Sequence, residues 1–246
     1  MDGGKGEECR QELWSPIIVS LKTRMSDIHE TKHIINRLLE QTYIYKRDDK
    51  VILNIVAYEE IDEDDEYLKS LRDNYSDTII VNIISYDYGN VTNIVEALKY
   101  IEMVNSRMNC TTYPYDTRLI YCEDKVLYPK TMVEVLNLVS LMDSDNAIWG
   151  STGFDISNMN IIIRKDHGTR VEVIEAYGGI IAHIGTFLPD FNEYIQSIKK
   201  DNILIIQESS DIVISNYLSK HHHAKKIVNL ENKNYSFNYI WSNMNL

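Results

Sequence analysis

Between residues 119 and 132 the chain reads LIYCEDKVLYPKTM. A short apolar run ends in two adjacent acids, Glu123 and Asp124, followed by Lys125. Tyr128-Pro129 then opens a helical stretch, with the proline suited to a first turn. Adjacent carboxylates at the end of a buried strand are too costly to bury unpaired, so they meet water, a cation or the donors of a ligand. An ordinary solvated loop is the plain alternative. Other candidates carry less. His221-His222-His223 are consecutive, and neighbours on a helix point in different directions, so the three cannot chelate one ion. They offer one ligand at most, or a cationic helix C-terminus. Asp143-Ser144-Asp145 has the spacing of a two-carboxylate metal motif, but Asp and Ser are normal turn formers where a helix closes. Cys122 lies within a strand with no activating partner and reads as buried and inert.

Positioning these residues requires a regular frame, and the first half supplies its pattern. Apolar, β-rich runs at 16–23, 51–58, 78–85 and 117–122 alternate with helical segments at about 28–41, 64–73, 92–104 and 129–142. Asp27 with Glu30 has the form of a capping box. The alternation predicts a parallel sheet with right-handed crossovers and helices on both faces. In such sheets ligands bind beyond the carboxyl ends of the strands, where Glu123 and Asp124 leave. The second half changes character: a strand at 146–154, a hairpin of 160–165 and 170–177 around Asp166-His167-Gly168-Thr169, helices at about 189–200 and 209–221, and a last strand at 225–230.

Composition excludes several classes. The 246 residues are 44% hydrophobic and carry a net charge of −12, which opposes nucleic-acid binding. No run reaches the length of a membrane span. Three cysteines at unrelated spacings form neither a disulfide framework nor a CxxC zinc pair, which suits a reducing, cytoplasmic setting. Gly3, Gly4 and Gly6 precede every strand and read as linker, not as a phosphate-cradling loop. There is no GxxxxGK[ST] and no GxSxG. The turn SLKTRMSDI lacks the glycines of nucleotidyltransferases that close a loop over a nucleoside triphosphate. Residues 59–66 read as a solvated acidic loop, 1–14 as a flexible leader and 231–246 as a polar tail with scattered aromatics.

Five stretches, in order, resemble the glycosyltransferases of the GT-A fold related to the family 2 enzymes. Ser20-Leu21-Lys22-Thr23-Arg24-Met25-Ser26-Asp27-Ile28 is similar to that group's SLTTxPxRI. Residues 87–93, Asp87-Tyr88-Gly89-Asn90-Val91-Thr92-Asn93, resemble DYGPATK, and 123–129 resemble DDDxxYP. Ala176-Tyr177-Gly178-Gly179 is similar to a GYGG loop, and 210–218 to the DDIWISYYL helix. The resemblance implies an α/β, Rossmann-like GT-A domain over 15–230, with a mostly parallel central sheet flanked by helices and a smaller mixed or antiparallel acceptor-side portion. Residues 15–130 would form the nucleotide-sugar half and 131–230 the acceptor half. It further implies a nucleotide-diphosphate sugar donor, UDP-sugar favoured, and a glycan or lipid-linked acceptor. Ser20, Lys22, Thr23, Arg24, Asp87, Tyr88, Gly89, Asn93, Glu123, Asp124 and Lys125 would bind the donor, and Tyr177, Gly178 and Gly179 would lie on the acceptor side. Mg2+ or Mn2+ would sit on Glu123 and Asp124. Asp211 matches the family's base position for inverting transfer, and a helix N-cap is its structural alternative.

The chain departs from that pattern. Lys125 replaces the third acid, the metal ligand, Asn93 replaces a lysine, and Asn90 a proline. Four accounts of Lys125 stand side by side. Its ammonium replaces the metal. Glu123 or Asp124 holds an ion with help from one of His221–His223. The site has decayed, leaving a nucleotide-sugar-binding or scaffold partner. Or Lys125 merely pairs with Glu60 or another acid.

Overall fold

The computed structural model describes residues 15–57, 65–108, 113–143, 146–157, 160–164, 166–188, 190–201 and 203–230. The leader, Cys9, Cys110, Glu60 and most of the acidic loop, Ser144-Asp145 and the tail lie outside the described residues.

The first half alternates as its sequence predicts: β1 (Ile17–Arg24), α1 (Ile28–Leu39), β2 (Lys50–Val56), α2 (Glu66–Tyr75), β3 (Ile79–Ile84), α3 (Val91–Met108), β4 (Arg118–Cys122) and α4 (Met132–Met142). The second half contains β5 (Ile148–Ser157), β6 (Asn160–Arg164), β7 (Val173–His183), α5 (Phe191–Asp201), α6 (Ile203–Glu208), α7 (Ser210–Lys220) and β8 (Lys225–Ile227). The sheet order is β3-β2-β1-β4-β7-β5-β6, with β8 on β5. β1 pairs in parallel with β2 and β4, and β2 with β3. β7 is antiparallel to both β4 and β5.

Strand alternation distributes the core to both faces. On β1, Ile17, Val19 and Leu21 pack with Ile34, Ile35 and Leu38 of α1 and with Leu136 of α4. Ile18, between them, joins Val91, Ile94 and Leu98 of α3 and Ile214 and Tyr217 of α7 on the opposite side. Burial on both faces is why β1 and β2 read as continuous apolar runs and not as alternating ones.

Four local expectations change. Asp27 closes a 3-10 turn, Met25–Asp27, and makes no side-chain cap. Asp65 is the capping residue instead: its Oδ1 accepts from the backbone N–H groups of Tyr67 and Leu68, both at 3.0 Å, and starts α2. Pro129 precedes α4 and does not occupy its first turn. β6 does not pair with β7 across 166–169 but folds back on β5, with Ile156 opposite Ile161. β7 is long because Ala176–Gly179, expected as a loop, remain in the strand. Thr152 faces Glu175 but Gly150 faces Ile180, so β7 bulges by four residues against Ser151.

Candidate active site

A cleft of about 400 Å3 opens beyond the carboxyl ends of β1 and β4. Lys22 enters from β1, Gly89 and Asn90 from the start of α3, and Glu123, Asp124 and Lys125 from the end of β4. Phe154 comes from β5, Glu175 from β7, and Gln207 through Ile212 from the α6–α7 junction. Gly89 is a positional necessity. Its φ is +57°, and a Cβ there would lie 2.9 Å from the Gln207 carbonyl and from Ser210 Oγ, so only glycine lets α3 approach α6 and α7 so closely.

The acids meet at Asn90. Its Nδ2 donates to Glu123 Oε1 at 3.0 Å and to Asp211 Oδ1 at 2.9 Å. Asp211 Oδ2 accepts from the Ala176 N–H at 3.1 Å, a donor that the β7 bulge carries to it. Burial pushes the Asp211 carboxyl up to about 6; Glu123 and Glu175 add to the rise, and the two hydrogen bonds oppose it. Burial also raises Glu175, with Glu123 contributing. Asp211 is not a helix cap: Ser209 holds that position, and both Asp211 oxygens are bonded to groups outside α7. The Tyr121 side chain is fully buried, and its hydroxyl has no hydrogen-bond partner among the described residues.

The other expected site residues divide. Lys22 Nζ pairs with Asp87 at 3.0 Å, and Arg24 approaches the same carboxylate at 3.8 Å. Asp87 is thereby turned to hold Lys22 at the cleft wall, and its Oδ1 also accepts from Gly89 N–H at 2.8 Å. Tyr88 packs in the core and accepts from Lys199 Nζ at 2.6 Å. Ser20, Thr23 and Asn93 have no exposed surface, which corrects their assignment to donor contact. Asn54 Nδ2 donates to Ser20 Oγ, Ser20 Oγ to the Asn93 carbonyl, and Asn93 Nδ2 to the Cys122 carbonyl, so this chain of bonds fixes the end of β4 from beneath. Thr23 bonds Thr31. Gly178 and Gly179 are buried in the bulge; Tyr177 is exposed but outside the cleft lining. Asn90, Phe154, Glu175 and Gln207 join the site only in the folded chain. Asn90 was visible as a departure from the family pattern, and Glu175 only as a polar position in an alternating strand.

Glu123 and Asp124, at the end of β4, are the acids on which a divalent ion would sit. Among the described residues no three His, Cys, Asp or Glu side chains are grouped to hold one. Asn90 occupies Glu123 Oε1, and an ammonium follows Asp124. His221 gives no help. α7 has eleven residues, so its far end stands about 15 Å from Asp211, and His221 faces Asp190 at 3.3 Å. Lys125 is exposed and forms no ion pair among the described residues. Asp143 is a turn residue, accepting from the Ala147 N–H and the Trp149 indole. Burial raises the Cys122 thiol far above its ordinary value, consistent with an inert cysteine.

No protein-family model matches the chain, and no curated protein sequence does. Solved structures do. GalNAc-T7 with UDP, GalNAc and Mn2+ matches at a TM-score of 0.55 and 10% identity, over 90% of this chain and 43% of that one. The mannosyltransferase PcManGT from Pyrobaculum calidifontis, in complex with GDP-Man and Mn2+, matches at 0.51 and 10%, over 91% and 59%. S. aureus TarS 1–349 in complex with UDP matches at 0.51 and 12%, over 87% and 58%. The chain thus spans less than two thirds of the length of each. Together with the parallel sheet, the antiparallel β7 and the cleft beyond β4, these likenesses show that the chain has the GT-A glycosyltransferase fold.

Proposed function

We propose that the chain is a glycosyltransferase that moves a sugar from a nucleotide-diphosphate donor, UDP-sugar favoured, to an acceptor hydroxyl with inversion. The observation that carries this is Asp211. It is a carboxylate at the cleft, held by Asn90 and the Ala176 N–H, with its proton affinity raised towards neutrality. A carboxyl near 6 is mostly ionised at pH 7 and is a stronger base than an ordinary aspartate.

In the proposed reaction Asp211 takes the acceptor hydroxyl's proton as its oxygen attacks the anomeric carbon. The bond from that carbon to the diphosphate breaks, and the diphosphate keeps the electron pair. The transition state has oxocarbenium character. The departing charge needs cations, and the cleft wall sets five carboxylates (Glu123, Asp124, Glu175, Glu208 and Asp211) against two ammoniums. Lys22 is engaged by Asp87, which leaves Lys125 as the group available to the diphosphate. No step is assigned to a metal ion.

Thermal shift against UDP-, GDP- and TDP-sugars, each with and without Mn2+, tests the reading. Stabilisation by a UDP-sugar that does not need Mn2+ is the expected result. Stabilisation that appears only with Mn2+ returns Glu123 and Asp124 to metal binding. No shift with any donor favours the decayed, scaffold reading.

A further inference from the structure

The β5–β6 hairpin carries an apolar stripe that begins inside the cleft. Phe154, a wall of the cleft, lies opposite Ile163, and Ile156 lies opposite Ile161. Directly opposed residues share a face, so these four side chains form one row. Ile156, Ile161 and Ile163 are 52%, 67% and 64% exposed. The other face of the hairpin is polar in part: Arg164 pairs with Asp155 at 2.9 Å, and Asp155 also accepts from the Glu172 N–H. Across the cleft, Ile212 is 38% exposed. A strand that meets water normally turns polar residues outward, so an uncharged row of three exposed isoleucines and a half-buried phenylalanine calls for a partner.

The geometry points to this stripe as the seat of the hydrocarbon chain of a lipid-linked acceptor. The inference rests on the glycosyl-transfer reading and narrows its acceptor class. Phe154 belongs to both surfaces, so a molecule whose hydroxyl lies at Asp211 meets the stripe where it leaves the cleft. The cleft is rich in carboxylates and the stripe has no charge, so the ligand that fits both is amphiphilic, with a hydroxylated head and an apolar body.

Hexyl, heptyl and octyl β-glucoside, titrated below their micelle-forming concentrations into the full chain by calorimetry, provide the test. Full burial is worth about fourfold in affinity per methylene, so a two- to fourfold gain at each step is expected. The double variant Ile161→Lys, Ile163→Lys should flatten the series and leave the UDP thermal shift unchanged, since both residues are exposed and neither lines the cleft. A flat series in the unaltered protein, or an unchanged series in the double variant, overturns the inference. So does a dimer that Ile161→Lys dissociates, because the stripe's partner is then a second copy. So does a tenfold gain in glucoside affinity on Phe237→Ser with Trp241→Ser, because the tail is then its cover. A chain-length series without any UDP shift supports the stripe and sinks the donor reading; a UDP shift without the series sinks the stripe alone.

Discussion

The two parts of the sheet solve different problems. In the parallel part, β2 and β1 stay in register over seven pairs, Ile18–Lys50 to Arg24–Val56, and the polar side chains beneath the cleft bond one another. In the antiparallel part, β7 sets four residues against one of β5, two glycines take the contacts, and apolar residues stay exposed at the hairpin. The first part is a fixed platform that ends in Glu123; the second is shaped to bring Asp211 and the Ala176 N–H to it. Asn90, bonded to an acid from each part, is the join. Chemistry therefore depends on alignment between a rigid region and an irregular one, and substitutions in the two should fail differently.

The largest effect is expected at the residue that the irregular part delivers. Asp211→Asn should lower transfer by about 10²–10⁴-fold with donor binding retained, measured by steady-state kinetics and titration. It should also stabilise the fold at neutral pH. Asp211 binds its proton more tightly folded than unfolded, about 6 against 3.8, so its contribution to stability is full below 3.8 and is lost as pH rises through 6. Removing the carboxylate should recover about 1–3 kcal/mol at pH 7–8 and nothing near pH 4, read from denaturation at each pH. Equal stability across that range would contradict a buried, charged Asp211.

Next comes the bulge. A Cβ on Gly178 would lie 2.4 Å from Ser151 Cβ, a clash that no rotation of Ser151 relieves. Gly178→Ala should cost about 3 kcal/mol, lowering Tm by roughly 6–12 °C. Gly168→Ala is the control: its φ of +77° is strained for alanine, but its Cβ meets open space, so about 1–2 kcal/mol is expected. Equal costs would mean that the bulge tolerates repacking.

The join itself is the third target. Asn90→Ala removes a donor that favours ionised Asp211, so its pKa should rise further and the acid limb of the pH–rate profile should move up by about one unit. An unmoved limb would separate Asp211 from the titration that governs the rate. Lys125→Ala, on the platform's rim, should weaken UDP-sugar binding about tenfold and change stability by less than about 0.5 kcal/mol. Unchanged affinity would remove the lysine from the diphosphate's neutralisation.

Legibility followed the same division. The strands at 16–23, 51–58 and 117–122 were readable because burial on both faces leaves an unbroken apolar run, and 78–85 because its isoleucines and valine form the same kind of run although β3 is a half-exposed edge strand. The fate of 166–169 was not: two β-rich runs around Gly168 look like a hairpin whichever neighbour each strand chooses, and β6 chose β5. Ser20 carries part of the family's resemblance and Asn93 stands where the family has lysine, yet both are buried, because a polar side chain on β1 or α3 is satisfied as readily by a neighbouring element as by a ligand. Asp65 hid its capping role inside an acidic run that looked like solvated loop.

The amino-acid sequence alone determined the alternation of strands and helices and the place where two acids leave β4, because periodicity and burial are local consequences of residue type. It also carried Asp211 near the start of α7. Only the tertiary structure decided that Asp211 sits beside Glu123, that Asn90 joins them, and that Phe154 links the cleft to the isoleucine stripe. Those meetings join residues 33 and 121 positions apart through Asn90, and a β bulge that no local pattern announces sets the second.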